Sequence, residues 1–100
     1  MLYLCEVSDV AEGAAKRIDL PERPPLAVFH LPTGLFVTDD TCTHGLASLS
    51  EGEIDDGVVE CPWHQGAFDI ATGKPCGAPC TIPLRTHRVV VSDGKVFLEE

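Results

Sequence analysis

Two short turns, Cys42-Thr43-His44-Gly45 and Cys61-Pro62-Trp63-His64, each set a cysteine and a histidine within a few residues of one another. Sixteen residues separate His44 from Cys61, so the two turns can act together only if the chain doubles back and brings both tips to one place. No other feature constrains the fold as much. Thiolate and imidazole are the donors of zinc and iron–sulfur sites, whereas magnesium and calcium take oxygen. A structural zinc site usually draws a cysteine pair from one element and a histidine pair from another. Here each turn supplies one of each. That arrangement suits two metal ions, one holding Cys42 and Cys61 and the other holding His44 and His64. A single zinc ion held by all four residues is the alternative.

The rest of the chain reads as short strands punctuated by Gly, Pro and Asp. The stretch 2–7 opens it. Residues 11–20 suit a helical turn or a strand equally, with Gly13 weakening the helix. Residues 25–31 and 35–40 form a hairpin around Pro32-Thr33-Gly34. Residues 57–61 and 66–70 flank the second Cys/His turn. Residues 85–91 and 95–100 pair through Ser92-Asp93-Gly94, where Asp-Gly suits a tight turn that needs positive φ. The expected class is all-β and mostly antiparallel, with the Cys/His turns in loops.

Five cysteines are an odd count, and two already stand beside histidines, which argues for ligands plus leftover thiols over a disulfide framework. A net charge of -9 excludes nucleic acid and an anionic membrane as natural partners and favours a basic protein. The first ten residues lack a basic region, and Glu6 and Asp9 interrupt their apolar run, so neither a signal peptide nor a membrane span is expected. The expected location is the cytoplasm.

Cys42-Thr-His44-Gly, followed by the run CPWHQGAFDIATG from Cys61 and by Gly77-Ala78-Pro79, resembles the Rieske family, in which two histidines replace two cysteines on one iron of a [2Fe-2S] cluster. The resemblance implies one Rieske domain over residues 1–100, with a base of small antiparallel sheets. The cluster-binding part, at about residues 40–80, would consist of two ligand loops and a proline loop. It implies one [2Fe-2S] cluster, with Cys42 and Cys61 on one iron and His44 and His64 on the other. The added electron would favour the histidine-held iron, because the other already sits beside two thiolates.

Respiratory-type relatives bridge their ligand loops with two further cysteines, at positions held here by Ala47 and Trp63. They also carry hydroxyl donors where this chain has Gly66 and Phe68. Fewer hydrogen bonds to the sulfurs leave the reduced state less stabilised, so a low potential is expected. Only His30 and His87 remain as further histidines, which leaves no mononuclear iron site of the kind a ring-hydroxylating oxygenase needs. The chain therefore looks like the free-standing Rieske-type ferredoxin of a multicomponent aromatic-ring-hydroxylating dioxygenase system. It would be a non-catalytic, monomeric carrier between an NADH-dependent flavin reductase and a terminal oxygenase in aromatic compound breakdown. A small Rieske-like subunit of an assimilatory nitrite reductase and a zinc-stabilised interaction module are the alternatives.

Other residues carry lesser expectations. Cys5, Cys76 and Cys80 are expected as buried thiols. Trp63 suits either a shield for the cluster or a docking anchor. By resemblance, Pro79 closes the third wall over the cluster. His30 is expected to be a strand histidine without a ligand role, Phe68 to pack beneath the second loop, and residues 85–88 and the acidic run 51–56 to be solvated.

Overall fold

The computed structural model describes residues 1–21, 23–43, 45, 47–62, 66–77 and 81–99. Three small antiparallel sheets make up the described chain. The first joins β1 (Leu2–Glu6), β11 (Lys95–Leu98) and β10 (Val89–Ser92) in that order. The second runs β2 (Ala15–Ile18), β3 (Leu26–Leu31), β4 (Gly34–Asp39) and β9 (Thr86–His87). The third runs β5 (Glu53–Asp55), β6 (Val58–Glu60), β7 (Ala67–Asp69) and β8 (Pro75–Gly77). Short 3-10 turns at Val7–Asp9 and Leu49–Glu51 are the helical elements among the described residues. No described helix is long and apolar enough to cross a membrane.

The central strand β3 explains how one sheet serves two cores. Side chains alternate between the faces of a strand. Ala27, Phe29 and Leu31 pack in one cluster with Leu49, Val59, Phe68, Ile70 and Leu84. Leu26 and Val28 pack in another with Leu4, Cys5, Val10, Ile18, Val37, Val96 and Leu98. The second sheet therefore lies between the other two, and a strand buried on both faces reads as an uninterrupted apolar run. Fully burying a side chain such as Phe29 or Val28 contributes about 1.5–3 kcal/mol. His30 shares the second face, where its Nδ1 lies 2.8 Å from the carbonyl oxygen of Val10. It is a strand histidine, as expected.

Two turns carry the φ > 0 that two-residue hairpins demand. Asp93 and Gly94 (φ 52° and 73°) join Ser92 to its partner Lys95. Asp56 and Gly57 (φ 51° and 76°) join Asp55 to Val58. The second hairpin refines the reading of the acidic run: its four carboxylates are exposed, as expected, but it holds strand β5 with Ile54 packed against the core. Residues 85–91 also differ from the single strand expected. They divide at Arg88, with His87 pairing Val37 in the second sheet and Val89 pairing Leu98 in the first. Arg85, Thr86 and Arg88 are exposed, as expected, but His87 is not: its Nε2 lies 2.8 Å from Oδ1 of Asp39, with 14% of its side chain exposed. The ambiguous 11–20 segment resolves into strand β2.

Gly52 seats the tail of the 3-10 turn at 49–51 against β6. A Cβ built there would lie 2.1 Å from the carbonyl oxygen of Glu60, the residue before Cys61. Backbone must shift to admit it, and overpacking of this kind costs about 1–3 kcal/mol. Gly52→Ala should therefore lower the melting temperature by roughly 4–8 °C per kcal/mol lost, followed by circular dichroism. An unchanged melting curve would contradict the close approach.

Candidate metal centre

Both Cys-bearing loops leave paired strands and close in the same way. The first follows β4 and is pinched by a bridge between Thr41 and Ser48. Within it the Cys42 N–H donates to the Ala47 carbonyl at 3.0 Å, and the Gly45 N–H donates to the Cys42 carbonyl at 3.3 Å. The second loop joins β6 to β7, above the pair Glu60 and Ala67. Here the Cys61 N–H donates to the Gly66 carbonyl at 2.8 Å. In each case a cysteine N–H reaches the carbonyl five residues on, so the two turns share a backbone closure as well as a residue pattern.

Those closures set both cysteines on the inner side of their loops. Cys42 and Cys61 are each 2% exposed and belong to the cluster that contains Phe29, Leu49 and Phe68. The fold thus brings together two of the four expected ligands. The other two, His44 and His64, lie outside the described residues, as do Trp63, Pro79 and Cys80. Gly66 and Phe68 are buried, with Phe68 opposite Val59 on β6. Phe68 thus packs beneath the second loop, as expected. Ala47 is buried at the closing carbonyl of the first loop.

Three contacts fix the loops to their surroundings. The Thr43 hydroxyl donates to the Ile82 carbonyl at 2.8 Å, tying the first loop to the segment between β8 and β9. Gly52 meets Glu60, tying the tail of the first loop to the stem of the second. Asp40, fully buried at the mouth of the first loop, accepts the Ser50 N–H at 2.8 Å and the hydroxyl of Ser48. Sequence reading missed Asp40 altogether, although its place two residues before Cys42 was a usable signal. The two buried cysteine sulfurs fit an iron–sulfur group, because they sit inside an apolar wall that limits water.

The described Rieske [2Fe-2S] domain matches residues 1–88. The ferredoxin component of the p-cumate 2,3-dioxygenase system of Pseudomonas putida is 48% identical over 100 residues, covering 99% of this chain and 85% of that one. The Sphingomonas yanoikuyae B1 ferredoxin superposes with a TM-score of 0.94 at 42% identity, covering 99% and 97% of the two chains. A chain in the complex of reduced oxygenase and oxidized ferredoxin in carbazole 1,9a-dioxygenase is 45% identical, with a TM-score of 0.92 and coverage of 97% and 90%. A structure described as a nitrite reductase small subunit from Mycobacterium tuberculosis reaches a TM-score of 0.83 at 18% identity, which shows a shared fold alone.

Two leftover thiols separate cleanly. Cys5 is buried on β1, and burial, reinforced by the Asp9 charge, pushes its thiol pKa up. Cys76 on β8 is exposed, which corrects the expectation of a buried thiol. A raised pKa leaves less of the reactive thiolate at a given pH. Iodoacetamide should therefore modify Cys76 in the folded protein and Cys5 only after unfolding, as read by peptide mass spectrometry. Equal labelling of the two in the folded state would contradict this placement.

Proposed function

The chain belongs to the Rieske [2Fe-2S] domain family, and on that premise we propose that it is a low-potential one-electron carrier. It takes electrons singly from an NADH-dependent flavin ferredoxin reductase. It delivers them to a terminal Rieske non-haem-iron oxygenase that hydroxylates aromatic rings. The chain is an electron-transfer component and not itself an enzyme. The observation that carries the reading is near full-length identity of 45% to a chain in an oxygenase–ferredoxin complex. In this reading residues 1–100 act as one domain, a cytoplasmic monomer, with the cluster-binding part at about 40–80.

Cys42 and Cys61 would hold one iron, and His44 and His64 the other. When bound, a cluster of this type accepts and releases one electron. The chain's own residues set the conditions for that exchange. Two thiolates bring negative charge to one side, while neutral imidazoles bring none to the other. Phe29, Leu49 and Phe68 wall the cysteine side with apolar surface. Gly66 and Phe68 carry no hydroxyl to donate toward sulfur, which favours a potential near the roughly -150 mV end of the range for such centres. No feature of the chain favours the nitrite reductase or zinc-module alternatives.

Recognition of a basic partner is supported by the hairpin that leads into the second loop. Glu51, Glu53, Asp55, Asp56 and Glu60 are all exposed there, on a chain of net charge -9. Such a surface accelerates encounter with a positively charged patch.

Two outcomes follow from this reading. Cys42→Ser, His44→Ala, Cys61→Ser and His64→Ala should each lose most of the bound iron, since each opens a coordination position. A variant that kept the native visible spectrum and iron content would remove that residue from the ligand set. With the reductase, stopped-flow reduction should slow as salt rises, because the Debye length shrinks from about 30 Å at 0.01 M to about 10 Å at 0.1 M. Rates that stayed flat over this range would contradict electrostatic steering.

A further inference from the structure

Among the described residues, Asp40 is the one charged side chain with no exposure at all. It stands just beyond the end of β4, two residues before Cys42. Its backbone already ties the loop down, donating to the Pro25 carbonyl at 3.0 Å and accepting the Leu49 N–H at 2.7 Å. Its carboxylate adds a second tie: Oδ1 accepts the Ser50 N–H at 2.8 Å, and Oδ2 accepts the Ser48 hydroxyl. Ser48 and Ser50 are themselves joined, hydroxyl to hydroxyl, at 2.9 Å.

A neutral amide or hydroxyl could make those hydrogen bonds without the cost of burying an ion. The opposing cation is a weak match. Nη1 of Arg17 lies 3.4 Å from Oδ2, long for a charge-assisted contact, and the Arg17 side chain is 46% exposed and also paired with Asp19 at 3.0 Å. Solvent screens the guanidinium more than the carboxylate. A net negative potential therefore remains beside Cys42, where it opposes the arrival of another negative charge.

We propose that Asp40 is a positioning residue for the first ligand loop whose fixed charge also lowers the reduction potential of the centre, with Arg17 as the partial counterweight. This inference rests on the ligand set proposed above. It is independent of Gly66 and Phe68, because it acts through charge and not through missing donors. A purely structural staple would predict no ordered response of the potential to charge.

The test is protein-film voltammetry, at one pH and ionic strength, of the cluster-loaded wild type, Asp40→Asn and Arg17→Gln, with iron content measured on each. Asparagine retains an acceptor for Ser50 N–H, so its main change is the lost charge. Asp40→Asn should raise the reduction equilibrium constant about tenfold, which is about 59 mV for a one-electron couple. Arg17→Gln should lower it by a smaller step. Unmoved potentials, or shifts of the same sign in both variants, would overturn the inference. Should Asp40→Asn lose its iron, the Arg17→Gln shift decides: downward supports the inference, and none or upward overturns it. A wild type without a one-electron wave would overturn the carrier reading itself. That result is separable from a normal wild-type wave that the variants leave unmoved.

Discussion

A thiolate carries its charge poorly in an apolar interior unless a cation sits against it. Cys42 and Cys61 are both 2% exposed within one apolar cluster, so as metal ligands their charge would have to be met by the metal itself. The remainder of the molecule is arranged around that burial. Each cysteine N–H closes its own loop onto the carbonyl five residues on, which turns the residue inward with its backbone donor satisfied. The loops then lean on each other through Gly52 and Glu60, and on the third segment through Thr43 and Ile82. Local hydrogen bonding places the sulfurs, and core packing keeps them dry.

The two-faced strand β3 gives this arrangement its support. One face, through Phe29 and Leu31, forms the floor beneath the ligand loops, while the other, through Leu26 and Val28, holds the sheet of β1, β11 and β10. The half that carries the two Cys-bearing loops therefore rests on a sheet that is itself braced from behind. A chain of 100 residues buries a limited fraction of its surface, so a cofactor joining the two loops would add to stability as well as function.

Much of this was legible in sequence because it depends on short-range chemistry. The Cys/His spacing identified both loops, and Asp93-Gly94 marked a hairpin whose residues do take positive φ. The same dipeptide at Asp56-Gly57 was obscured by the surrounding carboxylates, which made a strand with one inward side chain, Ile54, look like a solvated turn. Long-range pairing was less accessible. Nothing in residues 85–91 announces that Arg88 divides two sheets, because β-branched residues stand on both sides of it, Thr86 before and Val89, Val90 and Val91 after, as they would within one strand. Asp40 escaped notice for a related reason: its partners lie elsewhere in the chain, Arg17 on β2 and Ser48 and Ser50 at the far end of the first loop, and a buried carboxylate has the same letter as an exposed one.

The central claim is that two cysteines and two histidines on these loops hold one [2Fe-2S] cluster. Iron and acid-labile sulfide analysis, combined with EPR of the dithionite-reduced protein, tests it most directly. The account predicts iron and sulfide in equal amounts, two of each per chain, with the low average g of a centre ligated by both histidine and cysteine. Stoichiometric zinc in a colourless protein with no labile sulfide would contradict it.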